Sequence, residues 1–211
     1  MKKNSFILLI LTLFCTKVSA QDIKPYFTII PDNILGYVNI GLRKDLIDLY
    51  NAKQNAEVRN LLGGTTRMAF LSPQYLKLNL SASTDVEMRM IQSNDSTGYI
   101  VVNKTLKSTY PESVLSVYTS DWKSLPVNSF FSEPTVQDYL KKSIPDDGLA
   151  ILKGDIPYPV LRIEMDSLSN NLNVYPEFLK SMSKESALRW KDHFTEEPIT
   201  YIWKEGRYEK E

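Results

Sequence analysis

The chain is short of the residues that most reaction chemistry needs: its 211 residues include one cysteine, one histidine and eight glycines. Cys15 lies inside an N-terminal leader, so the chain beyond it has no disulfide, no thiol nucleophile and no thiolate metal ligand. His193 alone cannot build a multi-histidine metal site. The glycines never form G-x-G, and Gly63-Gly64 lacks the Lys and Ser or Thr that would complete a phosphate loop. No G-x-S-x-G elbow is present, and no calcium loop of alternating Asp and Asn around a Gly. No cofactor is therefore expected.

An excess of one charge is also missing. Basic and acidic residues number 25 each; the leader holds Lys2, Lys3 and Lys17 and no acid, so its loss leaves 22 against 25, a formal charge of −3. A nucleic-acid partner needs clustered Lys and Arg, and beyond the leader no basic run exceeds pairs such as Lys141-Lys142. Long apolar runs are limited to Phe6 to Phe14. That run is shorter than the roughly 20 residues of a membrane-spanning helix. Lys2 and Lys3 precede it and Val18-Ser19-Ala20 follows, the layout of a signal peptide cleaved between Ala20 and Gln21. Phe14 stands before Cys15 where lipid attachment wants a small residue. The expected product is periplasmic, secreted or surface-exposed, with no retained transmembrane segment.

What the chain does have is alternation. Leu76, Leu78 and Leu80 alternate with Lys77, Asn79 and Ser81, and Val86, Met88 and Met90 alternate with Glu87 and Arg89. Tyr99 to Leu106 carries the continuous run Ile100-Val101-Val102, the mark of a central strand covered on both faces. Val114, Ser116 and Tyr118 alternate with Leu115, Val117 and Thr119. A period of two predicts half-buried strands, and short polar turns between them predict a four-stranded antiparallel meander. Asp32 reads as the cap of a short turn. Leu42, Leu46, Leu49 and Tyr50 recur at helical spacing, predicting helix up to the turn Gly63-Gly64, as one helix or as two short ones where Asn51 and Asn55 weaken the middle. Pro134, Val136, Tyr139 and Leu140 predict a second helix, stopped by Pro145-Asp146-Asp147-Gly148. Ser183 caps a third, with Ala187, Trp190, Lys191 and Phe194 on one face. Ile199, Tyr201 and Trp203 form a last strand, expected at a sheet edge blunted by Lys204, Glu205 and Gly206.

The fold class is therefore α+β: an antiparallel meander with packed helices. Gly64 is followed by MAFL and then YLKLNLS; Gly148 is followed by LAIL and then VLRIEMD. The match is either a pseudo-duplicated helix-plus-sheet unit or coincidence between generic amphipathic strands. Composition divides the chain into a signal peptide (1–20), an N-terminal subdomain with the meander (21–122), a connector (123–134) and a C-terminal subdomain (135–211).

The succession RKDLIDLYN, LLGG, YLKLNLSASTDVEMRM, DSTGYIVVNKT, PESVLSVYTSDW and YIWKEGRY resembles a family of uncharacterised secreted proteins from Bacteroidales bacteria. The resemblance implies an exported protein of a Gram-negative envelope and carries no activity onto any residue. It also makes Asp95-Ser96-Thr97 and Asp166-Ser167-Leu168 candidate O-glycosylation sites at Ser96 and Ser167, although both are ordinary Asp/Ser turn sequences.

Two functions fit these constraints. The first is a non-enzymatic module that binds an envelope protein or peptide through a sheet edge or face. The alternative is a carbohydrate-binding or carbohydrate-acting protein using paired carboxylates, from Glu87, Glu164, Glu112 and Asp121, with some of the twelve tyrosines and three tryptophans as exposed platforms. Charges alternating on a strand ordinarily mark a solvated face, aromatics are ordinarily core, and His193 next to Asp192 suits a helix end. No catalytic residue is assigned.

Overall fold

Residues 22–92 and 98–211 are described by a computed structural model. Asp22 caps the first helix, α1 (Ile23–Ile29), accepting from the Lys24 amide at 3.0 Å. Asn39 caps α2 (Ile40–Asn51) in the same way through the Leu42 amide. Asp32, expected as a cap, instead takes a hydrogen bond from the buried Arg43 guanidinium at 2.6 Å, and the turn closes on the Pro31 carbonyl. Helix α2 also stops well before Gly63-Gly64. Lys53 turns the chain at φ 57°, and strand β1 (Glu57–Arg59) follows. Gly63, at φ 81°, is the left-handed residue of the hairpin into β2 (Thr65–Leu71), a conformation that costs glycine least.

The meander is present and longer than predicted. Strands β3 (Tyr75–Ser81), β4 (Thr84–Gln92), β5 (Gly98–Leu106), β6 (Glu112–Thr119) and β7 (Ser124–Leu125) continue it to seven antiparallel strands in sequence order. The alternation places Leu76, Met88 and Val102 in one cross-strand row, and the helices cover that face. Ile23, Phe27, Leu46, Leu76, Leu78, Val86, Met88 and Ile100 are fully buried there, each side chain contributing about 1.5–3 kcal/mol. Val101 points the other way into a second core, so β5 is central and covered on both faces, as its apolar run predicts.

That second core corrects the expectation of a solvated face. Glu87, Arg89 and Asn103 are 4, 3 and 0 % exposed. A separate four-stranded sheet lies over them: β8 (Arg162–Met165), β9 (Leu172–Tyr175), β10 (Ile199–Lys204) and β11 (Arg207–Lys210), in the order β11-β10-β9-β8. Ile163, Met165, Leu172, Val174, Tyr201 and Tyr208 meet Tyr75, Ile91, Val101 and Val117 between the layers. Strand β10 is thus interior to its sheet, not an edge; Glu205 and Gly206, both at positive φ, turn the chain into β11.

Between the two sheets the backbone departs from the sequence reading again. Val136–Tyr139 is a single 3-10 turn. Asp146-Asp147-Gly148, read as a stop, is the first turn of helix α3 (Asp146–Asp155), whose N-terminal acids suit the helix dipole. LAIL is therefore helical, while its supposed counterpart MAFL is strand β2, so the two halves are not a duplicated unit. Two short helices complete the chain, α4 (Phe178–Ser181) and α5 (Lys184–Trp190); Ser183 caps α5 as predicted, and Phe194 lies beyond its end, bridging Leu140. Among the described residues no helix is long and apolar enough to cross a membrane.

Candidate functional site

The charged row on β4 does structural work. Tyr75 donates its hydroxyl to Glu87 Oε1 at 2.7 Å, while Asn103 Nδ2 (2.9 Å) and the Met165 amide (3.3 Å) donate to Oε2. Lys77 Nζ lies 3.5 Å from Oε1. Burial first, then the neighbouring Glu87 carboxylate, pushes the Tyr75 hydroxyl well above its ordinary range. Asn103 also donates to the Ile163 carbonyl at 2.7 Å, and the Ile163 amide donates to Ser113 Oγ at 2.9 Å. Arg89 sits 5.0 Å over the Tyr75 ring and donates to the Asp166 carbonyl at 2.5 Å. The side of β8 that faces away from β9 is thus paired with side chains of the large sheet. A strand edge closed in this way cannot accept an added peptide strand.

The other edges are short. Strand β1 has three residues and β7 has two. On β11 the Tyr208 amide donates to the Phe130 carbonyl at 2.6 Å.

A groove offers more. Its first wall is the extended tract after β7, which Phe130 and Phe131 hold by plugging into the aromatic core; Phe131 lies 4.9 Å from the Tyr201 ring. Tyr201 donates to the Ser132 carbonyl at 2.9 Å. Thr135 and Asp138 close a reciprocal box, and Tyr139 anchors the turn by donating to the Val174 carbonyl at 2.8 Å. The second wall is α3. Leu152 fixes it in the core, and Asp155 at its end accepts from Trp190 Nε1 at 2.7 Å and Arg189 at 2.8 Å. Between the walls lies a cavity of about 510 Å³, lined by the apolar Val136, Leu149, Leu152 and Ile156 together with Pro134 and Pro159. That volume falls within the range of small-ligand and peptide side-chain sites. Glu133 stands on the extended wall and Lys153 on the helical one. Desolvation, then repulsion from Glu112, raises the Glu133 carboxyl above its ordinary value.

The residues singled out in the sequence do not converge. Glu87 is buried and engaged, Glu164 pairs with Arg162, and Asp121 is exposed and paired with Lys123 at 2.8 Å. Glu112 opens β6, near Glu133. His193 is half-buried with its ring 5.3 Å from Trp190. Among the described residues no group of three or more His, Cys, Asp or Glu is placed to hold a metal. Tyr201, Tyr208 and Trp190 are buried. Ser167 is half-buried in the β8–β9 loop, where Asp166 accepts from the Leu168 and Ser169 amides at 2.6 and 3.0 Å. Ala20, Gln21 and Ser96 lie outside the described residues. The sequence reading does not join the two walls, because it makes the first a connector running into a helix and the second a helix stop followed by a strand, where the structure has α3; the one local signal is proline at both Pro134 and Pro159.

A family model described as "Protein of unknown function (DUF3256)" matches residues 15–208. A solved structure titled as a domain of an uncharacterized protein from Porphyromonas gingivalis W83 superposes with a TM-score of 0.79 at 22 % identity, covering 90 % of this chain and 100 % of that one. At that identity the likeness is one of fold. No curated protein matches the chain.

Proposed function

From the premise that this chain belongs to the DUF3256 family, whose description assigns no activity, we propose a non-enzymatic module that binds an extended peptide segment of an envelope protein. The observation that carries this reading is the groove between Glu133–Gln137 and α3: concave, lined by apolar side chains, and held by walls that are each tied into the core. Such preorganised apolar clefts keep the ordering cost of binding low. The carbohydrate alternative asks for exposed aromatics beside two free carboxylates in one cleft. Among its candidates Tyr201, Tyr208 and Trp190 are buried and Glu87 is engaged; what it retains is Tyr158, 81 % exposed next to Pro159, and the neighbouring Glu112 and Glu133.

A photo-crosslinking residue at Gln137 on the groove wall is expected to trap one discrete envelope partner. Leu149→Asp is expected to abolish that adduct while lowering the thermal midpoint by about 3–6 °C, because Leu149 is half-buried against the core; a folded variant is confirmed by its retained cooperative transition. An adduct that persists at full yield in Leu149→Asp removes the groove from the binding surface.

Export remains part of the proposal. The leader pattern of residues 1–20 supports it. Intact-mass measurement of the protein from native cells is expected to give a chain starting at Gln21. Added hexose mass mapping to Ser96 or Ser167 would establish the modification; a bare mass for residues 21–211 would exclude it.

A further inference from the structure

We infer that one end of the seven-stranded sheet is a lipid-facing rim, which rests the protein on a bilayer surface. The inference is independent of the groove, since none of the rim residues lines it. Strands β1, β3 and β5 run toward this end and β2, β4 and β6 run back from it, so the turns 60–64, 82–83 and 107–111 all project there. These turns hold apolar side chains in water. Leu61 and Leu62 are 58 and 72 % exposed, Leu106 is 50 % and Tyr110 39 %, and the exposed Ala82 lies on the turn between them. With strands about 4.8 Å apart, the first and last of the turns are separated by roughly 20 Å. Apolar groups spread along a row of projecting turns suit a flat surface, whereas a peptide or small ligand is held by a concave one.

Two further features favour lipid over a protein partner. The leading turn has its amides closed off from solvent demand. The Leu61 amide donates to the Tyr37 carbonyl at 2.9 Å, the Leu62 and Gly64 amides donate to Asn60 Oδ1 at 3.1 Å each, and the Gly63 amide donates to the Asn60 carbonyl at 3.0 Å. Asn60 is 5 % exposed, and its Nδ2 donates to Thr66 Oγ1 and the Leu80 carbonyl. Amides that already have acceptors lose little on leaving water, which is what lipid demands of any backbone that enters it. The second feature is charge. Residues 60–66 and 81–84 carry none. Behind them Arg59, Arg67 and Lys107 stand against Glu57, Asp85 and Glu112; Glu57 is opposite Arg67, and Lys107 bonds Asp85 at 2.8 Å. The charges balance, so the attraction is apolar. Tyr110 supplies an amphipathic ring suited to headgroup depth, and the long side chains of Arg59 and Lys107 can keep their charges in water.

The test mixes the protein, purified from native cells, with vesicles of phosphatidylethanolamine and phosphatidylglycerol. Residues 21–211 contain no cysteine, so a polarity-sensitive thiol dye can be placed at Leu62→Cys, at Leu106→Cys or, on the turn after β6 at the other end of the sheet, at Lys123→Cys. Vesicles are expected to brighten the dye at the first two sites and leave the third unchanged. Leu61→Ser combined with Leu62→Ser is expected to lower the vesicle partition coefficient about tenfold, with the melting temperature within about 3 °C of the parent because both side chains are mostly exposed. Raising the salt to about 0.5 M is expected to change partition by less than about twofold, since the attraction is not one of net charge. The absence of vesicle binding, binding that survives the double serine variant, an equal dye response at all three sites, or binding lost in salt each overturns the inference. A dimer that forms without lipid and is lost in the double serine variant also overturns it, giving the rim to a second copy of the chain.

Discussion

Replacing Glu87 with alanine is expected to lower the unfolding free energy by about 3 kcal/mol, a fall in melting temperature of roughly 6–12 °C for a domain of this size. The carboxylate accepts from the Tyr75 hydroxyl, Asn103 Nδ2 and the Met165 amide in a site that is 4 % exposed. Alanine leaves the tyrosine and the amide buried without an acceptor, and each unmet donor costs about 1–3 kcal/mol. Glu87→Gln keeps one acceptor oxygen and the side-chain volume, so its cost is expected near 1 kcal/mol. Hydrogen exchange gives the local readout: the Met165 amide should lose protection in Glu87→Ala by more than the global destabilisation requires. If Glu87→Ala melts within about 2 °C of the parent, water already satisfies these donors, and the closure of the β8 edge is not what joins the layers.

Arg43→Leu is expected to cost a similar amount, about 3 kcal/mol, for a different reason. Arg43 is 2 % exposed and its guanidinium donates to the carbonyls of Thr28, Ile30 and Leu35 and to Asp32. The first two carbonyls belong to the end of α1, where no intrahelical partner remains. Leucine fills the space and leaves those oxygens unpaired. Arg43→Lys keeps the charge but cannot span four acceptors from one point, so it should recover only about a third of the loss. Urea denaturation of the three proteins separates the cases. A lysine variant as stable as the parent would show that charge alone, and not the fork, holds α1 to α2.

These two residues also show how far local pattern reaches. Leu76 through Met90 announced their strands, because a period of two is a property of neighbours along the chain. The same period says nothing about what covers the second face. Glu87 and Arg89 read as solvated, yet the groups that bury them, Met165 and Asp166, lie 78 and 77 residues away in sequence. Gly148-Leu-Ala-Ile-Leu failed for a related reason. Four apolar residues after a glycine fit a strand or a buried helix turn equally well, and the tie of Asp155 to Trp190 and Arg189 helps hold the helix in place. The groove was illegible because neither wall is a site by itself.

Sequence alone settled the composition of possibility: no thiol, no histidine cluster and no phosphate loop among residues 21–211, and strands in the central stretch where polar and apolar side chains take turns. Tertiary structure decided which of two faces each strand would bury, where a helix would replace an expected strand, and that an extended tract and α3 would enclose a cavity of about 510 Å³. The division has a physical cause. Backbone stereochemistry acts over a few residues, whereas burial is a contest among all surfaces of the chain, won here by a second sheet that brings its own unpaired edge to the acids and amides of the first.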